Sequence, residues 1–137
     1  MKNYNDMIRK GLSEKGIKYK TLDMDCISVA DYVEELGVQV VFLISANEIN
    51  ETAIQLIVQT MGICKINNHS KVLDKLNEIN RENFYVNYGL SEHDNLFCKV
   101  NLISREAYVV NDSINSIGMI LSSLIEFYPE IMKENWT

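Results

Sequence analysis

The 137-residue sequence contains one proline and six glycines. That scarcity excludes a proline-rich or glycine-rich linker and a low-complexity chain. Histidine occurs twice, as His69 and His93, and neither stands in a motif with serine, cysteine or carboxylate partners. There is no G-x-x-x-x-G-K-[ST] and no G-x-G-x-x-G, so neither glycine-rich phosphate-binding fingerprint is present. The three cysteines, Cys26, Cys64 and Cys98, have no C-x-x-C spacing. They read as buried thiols of a reducing compartment rather than a zinc site or a disulfide set. No apolar run approaches the length of a membrane span. The segment MKNYNDMIRKGL lacks an apolar core and a small-residue cleavage site, which predicts no signal peptide and a cytoplasmic setting. No catalytic, cofactor-binding or metal-binding residues emerge, and a non-enzyme is expected.

Positive charge is missing from a long stretch. Thr21 through Cys64 holds no Lys, Arg or His but carries Asp23, Asp25, Asp31, Glu34, Glu35, Glu48 and Glu51. Residues 1–20 carry Lys2, Arg9, Lys10, Lys15, Lys18 and Lys20 against Asp6 and Glu14. The net charge of −6 argues against a nucleic-acid partner. The acidic stretch is expected to form much of one sheet surface or its edge. Asp23, Asp25, Asp31, Glu34 and Glu35 are the candidate partner-binding residues, biased toward basic protein segments. The bland alternative is a solvated face that keeps the chain dispersed.

What remains is patterning. The length suits a single domain over residues 1–137 with one core. Tyr4, Met7, Ile8 and Leu12 predict a helix over about Asn5–Lys15, closed by Gly16. Tyr19 and Leu22 begin extended structure. Strands are predicted over Cys26–Val33, Val38–Ala46 and Thr52–Cys64, with Asn47–Glu51 as a hairpin loop. Val72, Leu73, Leu76 and Ile79 form a helical stripe, with Asn67, Asn68 or Ser70 as cap. Phe84–Gly89 and Leu96–Leu102 alternate as strands, and Tyr108–Val110 extends the second or pairs separately. A last helix capped by Asp112 or Ser113 buries Ile114, Ile117, Leu121, Leu124, Tyr128 and Ile131, with a break near Pro129. The fold class is α+β: an antiparallel sheet of about five strands with three helices, in the order α-β-β-β-α-β-β-α.

Leu76-Asn77-Glu78-Ile79-Asn80-Arg81 resembles the LNxxNR helix end of the YbjN-like family of bacterial sensory transduction regulators, and Tyr128-Pro129 resembles its last helix. That family is similar in fold to the type III secretion chaperones. The element order matches over nearly the whole chain, while residue identity rests on these two motifs. The resemblance implies a chaperone-like or regulatory module that binds other proteins as a homodimer. In those chaperones the second helix and the next strand commonly form the dimer interface, which here implies Leu76, Ile79, Phe84, Tyr85 and Val86. Tyr85 alternates away from Phe84 and Val86 and is an aromatic ring the core does not need. Asn77, Asn80 and Arg81 are either a recognition spot or, preferably, amides that satisfy backbone groups where helix meets strand. The competing function is a small-ligand sensor whose sheet and helices enclose a pocket.

Overall fold

The computed structural model describes residues 3–137. Helix α1 (Tyr4–Glu14) is followed by strands β1 (Lys20–Asp23), β2 (Cys26–Val33), β3 (Val38–Asn50) and β4 (Ala53–Thr60). Helix α2 (His69–Glu82), strands β5 (Asn87–Leu90) and β6 (Leu96–Ser104) and helix α3 (Val109–Asn135) complete the chain. The six strands form one antiparallel sheet in the order β1-β2-β3-β4-β6-β5. The fold class is as expected. The additional strand is β1, a four-residue edge where the sequence showed only the onset of extended structure.

Alternation in the strands assigns the two faces. Phe42, Ile44, Ile54, Leu56, Val58, Cys98 and Val100 are buried, and the residues between them are not. All three helices pack on the buried face, α1 over β2 and β3, α3 over β3, β4 and β6, and α2 against α3 and β5. The molecule therefore has two layers, and among the described residues the other sheet face carries no helix.

Helix α1 begins at Asn3, whose side chain accepts from the N–H groups of Asn5 and Asp6, and ends before Gly16 at φ 73°. The α2 cap is Asn68, which accepts from the Lys71 N–H. Helix α3 departs from expectation at both ends and along its face. It starts at Val109 without a side-chain cap and runs unbroken through Pro129 to Asn135. Tyr108–Val110 thus belongs to the helix start rather than to a strand. Its buried stripe is Val109, Ser113, Ser116, Ile120, Leu124, Tyr128 and Ile131, while Ile114, Ile117 and Leu121 are half-buried at its flank. Two serines take the sheet side because their hydroxyls need no outside partner. Ser113 donates to the Val109 carbonyl and Ser116 to the Asp112 carbonyl, both at 2.7 Å. Small side chains there let the helix lie close. Gly11 of α1 serves the same end, since a Cβ at that position would collide with the Val110 side chain of α3.

Other boundaries moved for local reasons. β3 continues to Asn50 and the turn shrinks to two residues, stabilised by the Asn50 side chain accepting from the Thr52 N–H and hydroxyl. β4 stops at Thr60, short of Cys64. Strand structure after α2 starts at Asn87, not Phe84, because Asn83–Val86 form the connection.

Candidate interaction surface

The residues with chemical potential do not converge. His69 Nδ1 lies 2.7 Å from Asp94 Oδ1 in an exposed pair, and His93 is exposed in the turn between β5 and β6. Among the described residues no group of His, Cys, Asp and Glu is arranged to hold a metal ion. The thiols stay unpaired. Burial pushes Cys98 up to about 12, a shift that contact with Thr60 opposes. Burial also raises Cys64, against a hydrogen bond from Tyr128, and raises Cys26, with Asp23 adding to it. Each of the three is therefore held in its thiol form rather than as a nucleophilic thiolate.

Of the five residues implied for a dimer interface, Leu76, Ile79 and Val86 are 1–3% exposed within the chain's own core. Phe84 and Tyr85 stand out at 90% and 67% exposure on the α2–β5 connection. Alternation misassigned Phe84, because its segment is a loop and not a strand. Beside these rings runs a shallow groove of about 590 Å³, lined by Asn83, Tyr85, Val86, Gly118, Ser122 and Phe127.

Asn80 is structural. Its amide pairs with the Tyr88 backbone in both directions at 2.8 Å, fixing the first residues of β5 to the end of α2. Tyr88 in turn reaches Ser123 of α3 at 2.7 Å and meets the Phe127 ring edge-on. Asn77 and Arg81 remain exposed beside Asp74.

The acidic residues do not share one face. Asp23 and Asp25 lie at the β1–β2 turn and Glu34 and Glu35 at the β2–β3 turn, the length of β2 apart, about 25 Å at 3.3 Å per residue. Asp31 lies between them, with Val29 and Val33, on the helix side of β2. Glu48 lies near the end of β3 and Glu51 in the turn after it. Apart from Asp31, these carboxylates thus lie at or near strand ends.

Strand register places a different set on the helix-free face. Lys20, Ser28, Leu43, Gln59, Lys99 and Asn87 stand opposite one another in a row that crosses all six strands. Ser45, Ile57 and Asn101 form the next row, and Asn47, Gln55 and Ile103 the one after. On the other side lie Ala30 with Val41, then Tyr32 with Gln39. Leu43, Val41 and Ile57 make a half-buried apolar centre ringed by amides and hydroxyls, with lysines toward the two sides. Strands β2 to β6 project no carboxylate onto this face; Asp23, opposite Cys26 at the bulged end of β1, lies at its margin. The signal was in the sequence: within β3, β4 and β6 every residue at the alternate positions is apolar, amide, hydroxyl or lysine.

At one corner the segment from Gly16 to Lys20 rises over this face and bounds a cavity of about 900 Å³. Ile17, Lys18, Lys20, Ala30, Gln39 and Val41 line it. No helix among the described residues is long and apolar enough to cross a membrane.

No family model and no curated protein matches the chain. Among solved structures it is similar to the crystal structure of YbjN from E. coli, titled a candidate transcription regulator. That likeness has 13% identity and a TM-score of 0.47, and it covers 92% of each chain.

Proposed function

We propose that this chain is a non-catalytic protein-interaction module, regulatory or chaperone-like, that works in the cytoplasm as a homodimer and binds segments of other proteins. The observation that carries the reading is the helix-free sheet face, apolar at its centre and without carboxylates on β2 to β6 in a chain of net charge −6. A two-layer fold normally buries one side of its sheet and wets the other. Here the wet side keeps Val41, Leu43 and Ile57 together where solvation alone needs none of them. The exposed Phe84 and Tyr85 add a second contact point of the residue type enriched at interfaces.

Affinity capture with the full chain as bait, from the cell that makes it, tests this. A protein retained by the wild type and lost when Phe84 and Tyr85 are both replaced by Ala supports the reading. No retained protein, together with a monomer mass near 15.8 kDa by light scattering at micromolar concentration, overturns it.

The sensor reading has its own observation, the 900 Å³ cavity with two lysines at its rim. Its size falls in the range of small-molecule sites. A metabolite that raises the melting temperature of the wild type and not of Val41→Trp would favour it.

A further inference from the structure

We infer that two copies of this chain meet through the helix-free faces of their sheets, packed one on the other. This rests on the dimer reading above and replaces the α2–β5 surface that the chaperone resemblance implied.

Three observations carry it. The first is charge. Each copy carries −6, so most ways of bringing two together set carboxylate against carboxylate. The carboxylates of residues 21–64 lie at strand ends or, for Asp31, on the helix side of β2, and the face of β2 to β6 is free of them. Its lysines, Lys20 and Lys99, are four strands apart in one row, about 19 Å at 4.8 Å per strand, and leave the centre uncharged.

The second is composition. Leu43, Val41 and Ile57 supply the apolar centre, and Ser28, Ser45, Gln55, Gln59 and Asn101 surround it with groups that both donate and accept. An amide can pair with the same amide of a second copy, as an interface built from one patch used twice requires. Tyr32 and Ile103, 58% and 72% exposed, stand at diagonally opposite corners where a partner sheet would cover them.

The third is area. From Gln39 to Asn47 the face is about 26 Å long, and the strands from β2 to β6 span about 19–24 Å. That is roughly 500–600 Å² per copy as a flat projection, with the Gly16–Lys20 segment sharing the corner at Ala30, Gln39 and Val41, and side-chain relief brings it to the lower end of ordinary stable interfaces, about 600 Å² per partner. Stacked sheets of this kind pack about 10 Å apart with strand directions within about 30°.

Light scattering and sedimentation of the full chain at micromolar concentration test it. The wild type is expected at about twice 15.8 kDa. Ile57→Glu and, separately, the double variant Gln55→Glu/Gln59→Glu are expected to weaken the dimer about tenfold or more, with the far-ultraviolet spectrum kept. The second variant changes only polar surface positions, so it reads the interface even if the first fails to fold. Phe84→Ala/Tyr85→Ala is expected to leave the mass at twice the monomer. If instead the loop variant yields monomers while the face variants stay dimeric, the face proposal is overturned and the dimer reading survives. If the wild type is monomeric throughout, both fall.

Discussion

The side-chain amide of Asn80 and the backbone of Tyr88 exchange two hydrogen bonds of 2.8 Å, as two paired strands would. Each of the other helices also uses an asparagine side chain to hold backbone groups. Asn5 of α1 pairs both ways with the backbone of Ala46 at 3.1 Å. Asn135 of α3 accepts from the N–H groups of Asn67 and Asn68, at 2.7 and 3.1 Å. Each helix is thus tied to the chain by one asparagine as well as by apolar packing.

Replacing Asn80 by Ala should cost about 2 kcal/mol, since it leaves two backbone groups without partners. Asn80→Asp should cost a similar amount, because it removes the donor and turns a carboxylate toward the Tyr88 carbonyl. Urea unfolding checks both. A change under half that size in each would mean water replaces the amide.

The contact between α1 and α3 gives a paired test. Gly11→Ala should destabilise by about 1–3 kcal/mol through overpacking against Val110, although alanine is otherwise the better helix former. Val110→Ala should restore part of that loss when the two are combined. Thermal melts of the four proteins in this cycle show the coupling.

Alkaline stability follows from the buried acids. Cys98 rises from 9.0 to about 12 on folding, and Tyr128, raised by burial and by Cys64, also reaches about 12. The folded state holds these protons where the unfolded chain releases them. Stability is therefore full below about pH 9 and falls as pH rises toward 12. Denaturant midpoints measured from pH 7 to pH 11 should show this decline. Cys98→Ala should lower the whole curve by about 1–2 kcal/mol for the lost packing and flatten its alkaline arm. An unchanged arm would remove Cys98 as a source.

Pro129 stands exposed in an unbroken α3. Its ring denies one hydrogen bond to the helix, so Pro129→Ala should raise stability by about 1–3 kcal/mol. A loss of stability would show that the local geometry Pro129 imposes is needed for the Tyr128 and Ile131 contacts.

The sequence was most readable where two signals agreed. Helix α2 showed both an apolar stripe and a cap, and β4 and β6 alternated cleanly. Asn80 was readable as a backbone satisfier because it sits where a helix gives way to a strand. Helix α3 was misread at its first turns, since Ser113 and Ser116 count as polar by type but are self-satisfied in place. Phe84 was misread because aromatic content suggests strand equally for a loop held open to solvent. Of the two placements expected for the acidic stretch, a sheet surface or its edge, Asp23, Asp25, Asp31, Glu34 and Glu35 take the edge, spread along the β1–β2 border. Strand β1 was too short to show a period. It depends on Arg9 of α1, which donates to Thr21 Oγ1 and to the carbonyls of Asp23 and Met24.

That edge has one further consequence. β1 pairs with β2 only as far as Ser28, so the outer rim of β2 from Val29 to Val33 has no neighbouring strand. Asp31 lies on that rim, and Glu34 and Glu35 follow at its end. A strand arriving there from an identical molecule would bring its own copies of these three acids against them. At the opposite rim, β5 offers only four residues. Lateral growth is therefore discouraged at both borders, whereas the broad surface between them stays open. A molecule with such borders has little means of polymerising into ribbons.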